Sequence, residues 1–258
     1  LSTIFAVLNL NNNKIISGIS ISGVDVSGLS KNEAVEKIKS IYNSKIEKDI
    51  GLKYQDYEAT LSPSLLEVNY DIEKAVDEAY LIGRDNNIIL NNYNIITTLI
   101  GKKNILVDMS LNEEVAKQSL EDIGVNLPGI IIESTYSVED DELLITKGKE
   151  GICVDADELL NKVKERLSDI NSNDDDIEIS VKSKKPEEID IEKIHSEVYK
   201  EAKDAYYTKD PFEVHPEVEG IDFDVEAAKK ILEEEKEEYV IPLTITKPKV
   251  TLNDIGSE

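Results

Sequence analysis

Two five-residue stretches far apart in this chain are near-copies of each other, and that recurrence restricts the fold more than any composition does. Gly151-Ile152-Cys153-Val154-Asp155 matches Gly220-Ile221-Asp222-Phe223-Asp224. Each opens an amphipathic helix, and each helix is followed by an alternating strand that ends in Lys-Pro, at Lys185-Pro186 and Lys247-Pro248. The earlier copy is longer by the acidic loop Ser172-Asn173-Asp174-Asp175-Asp176, and Leu66-Glu67-Val68-Asn69-Tyr70-Asp71 opens a more distant third version. Tandem units of strand, Asp, helix and strand predict an α+β chain. We expect small mixed α/β repeats forming an elongated multi-domain stalk, not one doubly wound sheet.

Local signals fill in the units. The alternating run Ile15 to Val26 predicts a strand that ends in a turn at Ser27-Gly28. Ser30-Lys31-Asn32-Glu33 has capping-box form, and Ala34, Ile38 and Ile41 carry a helical stripe onward. Asp71 opens a helix with Ile72, Ala75, Val76, Ala79 and Tyr80 on one face, and Gly83 stands where a left-handed residue stops it. Ser110-Leu111-Asn112-Glu113 predicts a second capping box, and Asp155-Ala156-Asp157-Glu158 is a carboxylate variant. Asp224 precedes a helix with Val225, Ala228, Ile231 and Leu232 inward. Ile177, Ile179 and Val181 alternate as a strand, as do Ile241, Leu243 and Ile245. The expected division is a tail at 1–13, an N-terminal α+β domain at 14–108, repeats at 109–189 and 190–252, and a linker at 253–258.

Charge removes whole classes of function. Fifty-four acidic residues against 29 basic ones give a formal charge of −25. Nucleic-acid binding needs a basic surplus on some face, and a peripheral protein held on anionic lipid needs the same. One cysteine makes no internal disulfide, and with two histidines the usual zinc ligand spacings cannot be assembled. No P-loop, dinucleotide fingerprint or Gly-x-Ser-x-Gly elbow occurs, so no cofactor is expected. Leu1–Leu10 is apolar, but ten helical residues span about 15 Å, half of a bilayer core. It reads as the tail of a membrane anchor or as an ordinary N-terminal strand or half-helix.

No residue here has the setting of a catalyst. Cys153 lies in a strand entering a helix, and its counterpart in the later copy is Asp222, so an inert half-buried thiol is expected. His195, within a helix expected over Asp190–Lys203, and His215, before Pro216, read as surface or packing residues. Glu139-Asp140-Asp141-Glu142 reads as a solvated hairpin tip, and Asp174-Asp175-Asp176 lacks the ligand spacing of an EF-hand loop. Sugar-binding faces stack flat aromatics and bond hydroxyls with polar groups; Tyr80, Arg84, Tyr206 and Tyr207 are the candidates, beside the plainer reading that the tyrosines pack their own helices. With no Trp in the chain, such a groove would be shallow.

Several segments together resemble a known family. Gly23-Val24-Asp25-Val26-Ser27-Gly28-Leu29-Ser30 followed by Glu33-Ala34 is similar to the opening of the extracytoplasmic region of VanW-family proteins. Ala79-Tyr80-Leu81-Ile82-Gly83-Arg84-Asp85-Asn86 resembles their Ala-Tyr-x-Ile-Gly-Arg segment. Gly151–Asp155, Glu217–Asp224 and Ile245–Thr251 complete the pattern. The whole resembles the peptidoglycan-binding domain that, in tandem, precedes a VanW or an L,D-transpeptidase domain. The resemblance implies a Gram-positive surface protein in the cell wall, anchored at its N-terminus, with peptidoglycan as partner. It also implies a non-catalytic region, any enzyme lying downstream of residue 258. A protein-interaction or purely structural stalk is the alternative, and a carboxylate-pair hydrolase is the enzymatic one.

Overall fold

One order of elements runs through the chain three times. The structure, a computed structural model, describes residues 3–256. A short helix α1 (Ile4–Leu10) and a hairpin of β1 (Ile19–Ile21) and β2 (Val24–Asp25) come first. The first round is α2 (Lys31–Glu47), the hairpin β3 (Ile50–Tyr54) and β4 (Tyr57–Leu61), β5 (Asn69–Tyr70) and α3 (Ile72–Leu81). It continues through an inserted helix α4 (Ile88–Gly101) to β6 (Lys103–Ile105) and β7 (Met109–Ser110). The second round is α5 (Glu113–Ile123), the hairpin β8 (Thr135–Glu139) and β9 (Glu142–Thr146), β10 (Gly151–Val154), α6 (Ala156–Ser168), β11 (Ile177–Glu178) and β12 (Val181–Lys184). The third is α7 (Ile191–Val198), the hairpin β13 (Tyr206–Lys209) and β14 (Phe212–His215), β15 (Gly220–Asp222), α8 (Val225–Leu232), β16 (Glu238–Pro242) and β17 (Thr244–Thr246). A one-turn helix α9 (Leu252–Ile255) follows. The mixture of helices and small sheets is the expected α+β class.

Each round closes on itself and also lends a strand backward. The last strand pairs with the strand before the second helix: β7 with β5, β12 with β10 and β17 with β15. The penultimate strand joins the preceding hairpin: β6 lies parallel to β1, β11 parallel to β3, and β16 antiparallel to β9. An Asp caps the second helix of every round. Asp71 accepts from the Lys74 N–H, Asp155 from that of Glu158, and Asp224 from those of Glu226 and Ala227. The carboxylate fills an orphan donor and meets the positive end of the helix dipole.

Several local expectations change in detail. Ile15 to Val26 is not one strand: Ser22 (φ 48°) and Gly23 (φ 79°) turn the chain into the β1–β2 hairpin. The helix after Ser110 is capped two residues later, by Asn112, which accepts from the Val115 N–H. The helix holding His195 ends at Val198, short of Lys203. Neither alternating run is a single strand; each divides into two short strands in different sheets. Between β11 and β12 the Ile179 N–H donates to the Lys53 carbonyl while the Ser180 carbonyl accepts from Asp155, so the backbone changes partner there. Leu243, between β16 and β17, donates instead to Asp141.

The chain forms two compact units. The first comprises Leu1–Pro128 and Cys153–Lys182, the second Gly129–Ile152 and Ser183–Glu258. In the first, Ile19 and Ile21 of β1 pack with Ile38 and Tyr42 of α2 and with Ala75, Val76 and Ala79 of α3. Its α5 and α6 pack together and bury Leu120, Leu159, Leu160 and Val163. In the second, Leu143 and Ile145 of β9, Ile191 and Ile194 of α7, Ala228 of α8 and Tyr239 and Ile241 of β16 form one core. Among the described residues no helix is long and apolar enough to cross a membrane. Leu1 and Ser2 of the expected anchor tail, and Ser257 and Glu258 of the expected linker, lie outside the described residues.

Candidate functional site

The four aromatic and cationic candidates fall into two clusters, one in each unit. Tyr80 is in the last turn of α3, and Gly83, at φ 82°, turns the chain beyond it. A side chain on Gly83 would meet Ile95 at 2.7 Å, so left-handed backbone and close packing both demand glycine. The turn aims Arg84 back along the helix. Its guanidinium lies over the Tyr80 ring, 4.0 Å from the centroid, and donates to the carbonyls of Tyr80 (2.7 Å), Lys14 (2.6 Å), Asn9 (3.2 Å) and Asn12. Burial lowers the Arg84 pKa, though guanidinium stays charged in proteins. Lys31 Nζ sits 5.2 Å from the same ring and 2.6 Å from Asp77. This cluster ties residues 9–14 to the end of α3, and a sugar hydroxyl would have to compete with four carbonyls for Arg84.

The second cluster is open to solvent. Tyr206 and Tyr207 are neighbours on β13, so they project to opposite faces of the β13–β14 hairpin. Tyr206 stacks on His215 across the strands, with centroids 4.4 Å apart and planes within 14°. On the other face Tyr207 lies 6.2 Å from Phe212, beside Val214. Tyr206, Tyr207, Phe212 and Val214 are all exposed. The hairpin therefore offers a flat ring on one side and an apolar aromatic pair on the other, a surface suited to stacking against sugar faces.

The same unit holds a cleft that no sequence signal announced. It encloses about 370 Å³ between β8, α7 and the segment that leads into α7. Glu133, Glu187, Glu188, Asp190 and Glu197 line it against one Lys193, over a floor of Ile145, Ile189 and Ile194. The Tyr136 hydroxyl donates to the Glu197 carboxylate, and that bond raises the Tyr136 pKa by favouring the protonated phenol. Tyr136 and Glu197 are 61 residues apart, so only the fold brings them together. A cleft with this charge favours a ligand ammonium group and repels phosphate.

Acid–base chemistry finds no foothold in the carboxylates with displaced pKa values. Asp25, Glu113, Asp157, Asp174, Asp222, Glu234 and Asp254 are all displaced downward, each chiefly by a hydrogen bond from a cation, a backbone N–H or His195. A glycosidase acid needs the opposite displacement. His195 meets Asp222 at 2.6 Å and packs edge-on to Phe223, which gives this histidine a structural task in the third round. His215 serves as the stacking partner of Tyr206. Cys153 is half-buried in β10. Among the described residues no three His, Cys, Asp or Glu side chains are grouped to hold a metal.

Comparison with known proteins adds one finding. No curated protein and no solved structure matches the chain. A family model described as "Putative peptidoglycan binding domain" matches residues 59–176, which run from β4 through α6 into the acidic loop. Tyr80 and Arg84 lie inside the match, and Tyr206 and Tyr207 lie beyond it.

Proposed function

We propose that this chain is a non-catalytic, extracytoplasmic peptidoglycan-binding segment of the cell wall that positions a VanW or L,D-transpeptidase domain. The observation that carries the binding role is the family match over residues 59–176. The recurrence of one element order supports reading the rounds as tandem copies of a single module. The exposed β13–β14 hairpin supplies a stacking surface for glycan rings, with Tyr206 and Tyr207 as its principal contacts and Tyr80 and Arg84 as the second candidate pair. The acidic cleft beside Tyr136 suits a free ammonium group on a stem peptide. The position before a further domain rests on the segments that resemble VanW-family proteins, Gly23–Ser30 and Ala79–Asn86.

Co-sedimentation with sacculi stripped of teichoic acid tests the reading, with salt varied and with Tyr206→Ala, Tyr207→Ala and Arg84→Ala compared. We expect saturable pelleting that persists in high salt. Tyr206→Ala should weaken it by roughly tenfold, the 1.4 kcal/mol scale of one well-placed aromatic. Protein that stays in the supernatant at every salt concentration would leave a structural stalk as the function.

A further inference from the structure

We propose that the paired helices α1 and α4 form a face that docks on a lipid bilayer surface, independently of any wall binding. Soluble helices turn apolar residues inward; apart from Ile95 of α4, which packs against the core of the first unit, these two do the reverse. The buried residues of α1 are Ala6 and Asn9, and those of α4 are Asn91, Asn92 and Thr98. The inward polar groups are satisfied. Ala6 N–H donates to Asn92 Oδ1 (3.4 Å), Asn9 Nδ2 to the Gly83 carbonyl (3.2 Å), and Asn91 Nδ2 to the Asn86 carbonyl (2.6 Å). The outward residues are Ile4, Phe5, Val7, Leu8 and Leu10 on α1 and Ile88, Ile89, Leu90, Tyr93, Ile96, Leu99 and Ile100 on α4, with Ile89 73% and Ile100 78% exposed. Small and amide side chains between helices with alkyl groups outside is the arrangement that lipid selects.

Charge points to the same occupant. In a chain where 32% of residues are charged, residues 1–13 and 86–101 contain none. The residues bounding these stretches are Lys14, Arg84, Lys102 and Lys103, against one acid, Asp85. This is a local basic rim on a chain of charge −25, and it complements anionic headgroups. The whole-chain charge that argued against anionic lipid does not describe this face. A second copy is the poorer fit, since association would bring two strongly acidic bodies together. Wall glycan is poorer still, because the alkyl groups offer it no hydrogen bonds.

The test uses the full chain and vesicles of phosphatidylcholine containing about one third phosphatidylglycerol. Wild type should float with the vesicles and remain bound in about 1 M salt, where the Debye length is about 3 Å. Ile89→Asp combined with Ile100→Asp should reduce the bound fraction at least about tenfold, while Leu65→Asp and Val125→Asp, at exposed apolar positions elsewhere, leave it unchanged. Because the chain has no tryptophan, Ile89→Trp or Ile100→Trp reports the face alone, and its emission should shift to the blue on vesicle addition. Absence of flotation, flotation that the double aspartate variant retains, or flotation abolished by salt would each overturn the proposal. So would a dimer in sedimentation velocity that the double variant dissociates, without vesicle binding. Sacculus pelleting is a separate readout, so the two proposals fail separately.

Discussion

Tyr42, in the core of the first unit, and Tyr70, packed against that core, hold their ring centroids 4.2 Å apart with planes tilted by 36°, and each hydroxyl has one partner. Tyr42 Oη is 2.6 Å from Ser22 Oγ, and Tyr70 donates to the Leu167 carbonyl at 2.6 Å. Burial raises both pKa values above the ordinary 10.0, most strongly for Tyr70. A folded-state pKa above the unfolded one means that the stabilisation is complete below pH 10 and is lost as pH rises from there through the folded value. Spectrophotometric titration should therefore show Tyr42 and Tyr70 resisting ionisation until the unit unfolds, beside the exposed Tyr136, whose pKa is raised chiefly by its bond to Glu197. Tyr70→Phe should cost about 1 kcal/mol at neutral pH, from one lost hydrogen bond, and soften the alkaline transition. Residue types in the sequence named the aromatics but not their tasks. Arg84 was legible as a candidate cation, whereas its four carbonyl partners depend on where residues 9–14 return, which no local pattern records.

At the scale of elements, the caps were readable because they are local. Asp71, Asp155 and Asp224 each serve a donor two or three residues ahead, within reach of sequence reasoning. The split strands were not readable, because Ile177, Ile179 and Val181 keep a period of two across the break. Their division comes from Lys53 and Asp155, which claim successive backbone groups from distant parts of the chain. The matched glycines of the two clearest copies differ in a way that motif matching also conceals. A Cβ on Gly151 would lie 2.5 Å from the Gly129 carbonyl oxygen and 2.6 Å from the Ile131 nitrogen. On Gly220 the nearest atom, the Ala202 nitrogen, is at 3.0 Å. Gly151→Ala should lower stability by about 1–3 kcal/mol, as overpacking against fixed backbone does. Gly220→Ala should cost less, and chemical denaturation of the two variants measures the difference.

For the whole molecule, the interlacing of the rounds decides which pieces can stand alone. The first unit needs Cys153–Lys182, which carries α6 and β11, so a chain cut at Pro128 loses the helix packed on α5 and the third strand of the β3–β4 sheet. We expect residues 1–182 to unfold cooperatively by circular dichroism and residues 1–128 to lose that cooperativity. The acidic cleft belongs to this scale as well, since β8 and α7 come from different rounds and their meeting was invisible until the rounds were assembled.

Strand lending also sets a timetable for a chain made and delivered from its N-terminus. The edge of β1 stays open until residue 103 arrives, and that of β3 until residue 177. The hairpins β1–β2, β3–β4 and β8–β9 are thus each finished by a strand synthesised one round later, and until then each presents an unpaired edge to its surroundings. Damage travels against the direction of synthesis: a premature stop or a proteolytic nick inside one round also leaves the round before it unfinished. Quality control acting on exposed edges would then discard the upstream neighbour of a broken module together with the module itself.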